Sequence, residues 1–214
     1  MRILHIYDSD RGEKALAGES SPSTVAYYIS KCLAEKGHDV TILERRYLKT
    51  DLVVEYIEGV RFVRLDAKKR ADIPYKELKN LPLGPLRLVL DATEFAVKIN
   101  KFLKTENFDL IHVHFPFAAN VLINLHRKLR GKMVYTAHIG EEKKRLALDS
   151  SAPLALKLFS PDLYLMKRVR KSVVLNEPLK EKLIEKGIEE GKLEVIPNGV
   201  NVDPFSQLYV GFIV

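Results

Sequence analysis

Continuous apolar runs alternate along the chain with stretches in which apolar residues recur every three or four positions. The first pattern is that of a strand buried on both faces and the second that of a helix lying over it. The alternation therefore predicts an α/β fold, a Rossmann-like parallel sheet with helices on both faces. Arg2 to Tyr7 reads as the first strand. Ser21-Pro22 then supplies a cap residue and a proline at the first helical position, Val25, Ile29, Cys32 and Leu33 keep helical spacing, and Gly37 ends the helix. Asp39 to Glu44 is the second strand, and Leu52 to Ile57 and Val60 to Leu65 are weaker strands around Gly59. Three prolines and a glycine between Pro74 and Pro85 predict an irregular loop. Beyond it the pattern gives a long amphipathic helix from about Leu86 to Leu103, the strand Asp109 to His114 and a helix from about Ala118 to Leu129. The strand Lys132 to Ala137, a helical region broken near Pro161, the strand Ser172 to Leu175, a helix ending at Gly187 and the last strand Leu193 to Ile196 complete the series.

Composition narrows this picture. In 214 residues there is no Gly/Ser or Pro-rich linker, which predicts one core. No apolar run approaches the roughly 20 residues that cross a bilayer, and Met1 to Ile6 meets Asp8 and Asp10 too early for a secretory leader, so a cytoplasmic location is expected. The single Cys32 excludes an internal disulfide and reads as a small buried helix residue. The formal charge of +7 is dispersed among Arg45-Arg46, Lys68-Lys69-Arg70, Lys143-Lys144-Arg145 and the segment Lys167 to Lys171. Solvated faces and loops are the plain explanation. Attraction of a phosphorylated substrate, such as a nucleotide sugar, or peripheral contact with an anionic membrane carrying a lipid acceptor are the functional alternatives. No zinc-finger spacing, stacking-aromatic motif or helix-turn-helix cue accompanies the charge, and no nucleic-acid partner is expected.

In sheets of this kind ligands bind beyond the carboxyl ends of the strands. Four such positions carry candidate chemistry. The loop from Asp8 to Ser21 places Gly18, Ser20 and Ser21 ahead of a helix N-terminus, where free N–H groups can hold phosphate. It lacks G-x-G-x-x-G, and Glu44 stands 37 positions past Tyr7, so the dinucleotide fingerprint is excluded and no cofactor is expected. His114 ends the strand Asp109 to His114, and His138 follows the strand Lys132 to Ala137; a histidine there can donate to a sugar hydroxyl or phosphate oxygen. His112 faces away from its strand neighbours and reads as core. His112 and His114 have no further ligand at a telling spacing, so no metal site is expected. Asn176, after the strand Ser172 to Leu175, is placed to contact substrate or to cap the next helix.

Six motifs in this order resemble the N-terminal half of group 1 (family 4 type) glycosyltransferases of the GT-B fold. They are the first strand with its loop, Leu33 to Val40 at the end of the first helix, Phe108 to His114, Thr136-Ala137-His138, Ser172 to Asn176, and Ile196-Pro197-Asn198-Gly199. The resemblance covers most of residues 1 to 201. It implies a sugar transfer from a nucleotide-sugar donor to a saccharide or lipid-linked acceptor, retaining and metal-independent. His138 then matches the family histidine that contacts the transferred sugar, and Gly18 to Ser21 the segment that touches the donor phosphate. The family's paired glycines fall on Ser20-Ser21, whose hydroxyls can donate instead.

Residues 1–201 are thus expected to form the acceptor-side domain. The segment 202–214 does not resemble the family's continuation, and the nucleotide-binding second domain is expected to be absent, leaving the chain unable to complete catalysis alone. Two alternatives stand beside this. One is a binding subunit that docks on a separate nucleotide-binding partner, or self-associates, through the apolar residues Leu208, Tyr209, Phe212 and Ile213. The other is half of a nucleotide-sugar epimerase of the same fold.

Overall fold

A computed structural model describes residues 1–9, 12, 14–18, 20–70, 77, 83–138 and 160–199. Eight strands form one sheet: β1 (Arg2–Tyr7), β2 (Asp39–Arg45), β3 (Val54–Ile57), β4 (Val60–Leu65), β5 (Leu110–Val113), β6 (Met133–Thr136), β7 (Lys171–Val174) and β8 (Leu193–Val195). Their order across the sheet is β3-β4-β2-β1-β5-β6-β7-β8. Every neighbouring pair is parallel except β3 and β4, which form an antiparallel hairpin through Glu58-Gly59. The strands β1 and β5 lie side by side in the interior, with His5 opposite His112 in register.

Among the described residues five α-helices connect them: α1 (Ser21–Glu35), α2 (Leu83–Thr105), α3 (Pro116–Leu125), α4 (Pro161–Met166) and α5 (Glu177–Glu185). Strand alternation divides the side chains between two faces. Leu4, Ile6, Leu43, Ile111, Val113, Tyr135 and Val174 turn to one face, where Phe95, Ile99, Leu122, Leu165 and Leu183 from α2 to α5 cover them in the larger core cluster. Tyr7, Val40, Ile42, Val60 and Phe62 turn to the other face and meet Ala26 of α1 and Phe115. Removing such residues from water is the main favourable term in folding. None of the described helices is long and apolar enough to cross a membrane.

The element boundaries differ from the sequence reading in three places. The helix α2 starts at Leu83, so Gly84 and Pro85 are helical and not part of a loop; the rest of the expected loop, save Glu77, lies outside the described residues. Proline is tolerated there because N–H groups of a first helical turn have no intrahelical acceptor anyway. Gly84 answers a steric demand: a Cβ would stand 1.8 Å from the Glu77 carbonyl oxygen. The helix α3 begins at Pro116 and ends at Leu125, with a separate 3₁₀ turn over Arg127–Lys132. The expected break near Pro161 is the start of α4, proline occupying its first position.

Candidate active site at the carboxyl edge of the sheet

All the parallel strands point the same way, so the loops after β1, β5, β6, β7 and β8 share one edge. The loop after β1 is tied down by β2. Glu44, fully buried, accepts from the Ala15 N–H at 2.8 Å and from Arg64 Nε at 2.8 Å, and Lys14 pairs with Asp51. Gly18 then turns the chain into α1 with φ at 64°, a left-handed conformation that favours glycine. Ser20 caps α1 in a reciprocal box with Ser23: its hydroxyl accepts from the Ser23 N–H at 3.4 Å, while Ser23 Oγ accepts from the Ser20 N–H at 3.1 Å. Ser21 is exposed, and its hydroxyl accepts from Asn198 Nδ2 at 3.3 Å. The Pro197-Asn198-Gly199 segment after β8 thereby returns to the α1 N-terminus, two motifs 177 positions apart in sequence.

Beside this loop lies a charged cluster. Arg45 at the end of β2 donates from Nε to Asp8 Oδ1 at 2.6 Å, from Nη1 to the Lys68 carbonyl at 2.6 Å and from Nη2 to the Asp91 carbonyl at 2.9 Å. Its guanidinium lies 4.3 Å from the centre of the Phe95 ring. Lys69 Nζ donates to the Ser9 carbonyl at 2.8 Å. Arg45, one of the bases that the charge pattern assigns to solvated faces, is therefore a buried partner of a carboxylate, as is Arg64.

A second cluster fills the same edge on the β5–β6 side, and here the structure joins two of the histidines singled out from sequence. His114 Nδ1 and His138 Nε2 are 3.2 Å apart, with their rings nearly parallel at 17°. His114 Nε2 is in turn 3.1 Å from His5 Nδ1. His112, read as core, is indeed buried; its Nε2 lies 2.7 Å from Thr136 Oγ1, and its ring centre is 4.4 Å from that of His114. Tyr7 and Phe115 close the stack from the second core cluster.

Burial disfavours the imidazolium form of His5, His112 and His114. It lowers His112 to about 4. His5 and His114 are held well below the ordinary histidine range by burial first, and then by neighbouring imidazoles. These rings are neutral at pH 7, each with one N–H and one lone pair.

His5 escaped the sequence reading because it sits mid-strand, where histidine reads as an ordinary core residue. Its signal was alternation: His5 shares a face with Tyr7, as His112 does with His114, and the two pairs adjoin once β1 and β5 are neighbours. His5 also supplies the third ring that the spacing of His112 and His114 lacked. Ring nitrogens of His5, His112 and His114 all lie within 4.8 Å of one another. Asn176 is exposed at the α5 N-terminus and accepts from the Leu179 N–H at 2.9 Å, the capping role.

Residues 22–204 match the family model described as Glycosyltransferase Family 4. No curated protein matches the sequence. Among solved structures the chain resembles a sucrose-phosphate synthase from Thermosynechococcus elongatus, with TM-score 0.69, 18% identity, and coverage of 98% of this chain and 53% of that one. It also resembles an alpha,alpha-trehalose-phosphate synthase (UDP-forming) from Burkholderia vietnamiensis, with TM-score 0.62, 16% identity, and coverage of 99% and 51%. At such identities the likeness shows the fold, one half of the GT-B arrangement. The chain spans about half the length of these proteins.

Proposed function

Because the chain belongs to Glycosyltransferase Family 4, we propose that it is the acceptor-side half of an enzyme that moves a sugar from a nucleotide-sugar donor to a saccharide or lipid-linked acceptor, with retention of configuration. The observation that carries this reading is the placement of His138. It follows β6 on the edge where such sheets bind ligands, and its ring is oriented by a hydrogen-bonded neighbour in a neutral stack. A neutral imidazole held this way can donate to a hydroxyl of the transferred sugar without the cost of a buried charge. Gly18, Ser20 and Ser21 at the α1 N-terminus are the proposed phosphate contacts, with backbone N–H groups and the helix dipole as the attracting elements. Ser20 contributes by holding the helix end in shape, since its hydroxyl is committed to the capping box. His114 is proposed to act through His138, and Asn176 to line the acceptor side.

Stabilising a departing diphosphate takes donors on both walls of a cleft. The proposal therefore includes a second, nucleotide-binding domain as the opposite wall, and one-half of the cleft leaves affinity for the donor weak. The test has two arms: calorimetry of the chain alone against a panel of nucleotide sugars, and sugar transfer by the chain joined to a matching second domain. Weak or no binding in the first arm and turnover in the second is the expected pair. Tight nucleotide binding by the chain alone would overturn the two-wall reading.

A further inference from the structure

Register brings three buried histidines to one point beneath the rim of the sheet. His5 lies opposite His112 across the β1–β5 pair, and His114 follows two positions along β5 on the same face. We propose that His5, His112 and His114 form a structural site for one late first-row transition-metal ion of the Zn²⁺ class. One nitrogen from each ring can be chosen so that all three lie within 4.8 Å of one another. A point equidistant from nitrogens at that spacing stands about 2.8 Å from each, so closing on the roughly 2.0–2.1 Å of a metal–imidazole bond moves each ring by less than about 1 Å. His5 Nδ1 and His114 Nε2, 3.1 Å apart, already stand about as close as two nitrogens bound to one tetrahedral ion. The ion would take the place of the single proton that joins these two atoms in the metal-free chain.

The surroundings of the three rings suit this role. Imidazole is the ligand type that favours zinc, copper, nickel and cobalt over magnesium and calcium. Metal-bound histidines are aimed by a hydrogen bond at the other ring nitrogen. Here His112 Nε2 is 2.7 Å from Thr136 Oγ1, and His114 Nδ1 is 3.2 Å from His138 Nε2. The rings are 0%, 8% and 1% exposed, so little water competes for their nitrogens. Three neutral ligands leave the ion its charge and a fourth position open to a water or anion. Affinity then follows the strength of the metal–imidazole bond, rising from Co²⁺ to Cu²⁺. The expectation of no metal site rested on His112 and His114 alone, and β1 supplies the ring they lacked. The inference is independent of the sugar transfer proposed above: His138 is not a ligand, and no step of that reaction passes through the ion.

The test loads the untagged chain with Co²⁺ near pH 7.5, both by incubation of the folded protein and by refolding from urea, so that burial of the site does not decide the outcome. Gel filtration then removes free ion. The expected result is one Co²⁺ per chain with visible d–d bands that excess Zn²⁺ abolishes. In the chain labelled with ¹⁵N-histidine, Zn²⁺ should shift the ring nitrogens of His5, His112 and His114 and leave those of His126, which is bonded to Asn100, in place. His5→Phe should lose the bands, and Thr136→Val, which removes the partner of His112, should weaken Co²⁺ binding about tenfold or more. His38, whose Nδ1 lies 3.4 Å from the N-terminal amine, is the competing site, and His38→Gln should keep the bands. No retained Co²⁺ after either loading would overturn the proposal. So would bands that persist in a folded His5→Phe or vanish in His38→Gln. If His5→Phe does not fold, the wild-type spectra decide: His5 and His112 rings unmoved by Zn²⁺ would overturn the proposal as well.

Discussion

Two buried polar clusters flank the end of β1, and they solve the same problem in opposite ways. On the β2 side, Arg45 and Arg64 keep their charge in the interior, each met by carboxylates: Asp8 for Arg45, and Glu44 and Glu55 for Arg64. On the β5 side, three histidines avoid charge altogether, because burial holds His5, His112 and His114 neutral. An arginine cannot give up its proton in a protein, and its fork fixes geometry. The first cluster can therefore only brace the loop after β1. Neutral imidazoles can donate at one nitrogen and accept at the other, so the second cluster can present a proton at a defined atom. On the proposed function, the comparison separates scaffold from chemistry on one sheet edge.

Breaking the charged cluster should have the larger effect on stability. Arg45→Met leaves Asp8 buried without its partner, and a loss of about 3–5 kcal/mol in urea unfolding is expected. Adding Asp8→Leu removes the uncompensated charge, and the double variant should recover most of that loss. If single and double variants are equally destabilised, the lost packing of the Arg45 stem against Phe95 and not the bare charge is the cause.

The imidazole cluster should reveal itself through pH. The folded-state pKa of His112 lies below the ordinary value of 6.5, at about 4. The unfolded chain then binds the proton that the folded chain refuses, so stability is fully present above about pH 6.5 and declines as pH falls toward 4, flattening below that. The loss assigned to His112 is on the order of 3 kcal/mol. Urea midpoints measured from pH 7.5 to 4 should show this slope, and His112→Phe should reduce it, His5 and His114 keeping their own share. An unchanged slope would place the acid sensitivity elsewhere.

Smaller again are the caps at the rim. Ser20→Ala and Asn176→Ala should each cost about 1 kcal/mol by thermal or urea unfolding. Asn176→Asp keeps the capping oxygen, so a normal unfolding midpoint with weakened acceptor binding in the joined protein would separate the cap from the proposed substrate contact.

Much of the fold was legible because the relevant signals are local. The strand β1 was bounded by its apolar run and Asp8, and α1 by Pro22 and Gly37, although its cap is Ser20, one residue before the Ser21 read from the sequence. The hairpin around Gly59 was visible for the same reason, Glu58 and Gly59 both taking positive φ in the turn. The start of α2 was not, since proline and glycine signal a loop unless the helix end that tolerates them is known. The candidate site was partly legible: His114 and His138, singled out by their place after strands, adjoin in the structure. Their contact with His5, and the buried pairing of Asp8 with Arg45, depend on which strands adjoin and on which face each side chain takes. Those are facts of register, and no spacing along the chain carries them.

The account's central claim is that His138 meets the reacting sugar. Its most direct test is the kcat of His138→Ala in the chain joined to a matching nucleotide-binding domain, at saturating donor and acceptor. The predicted result is a loss of roughly a hundredfold or more, as for removal of one donor from a preorganised site, with the urea unfolding of the variant close to wild type. Turnover equal to wild type in the folded variant would contradict the claim.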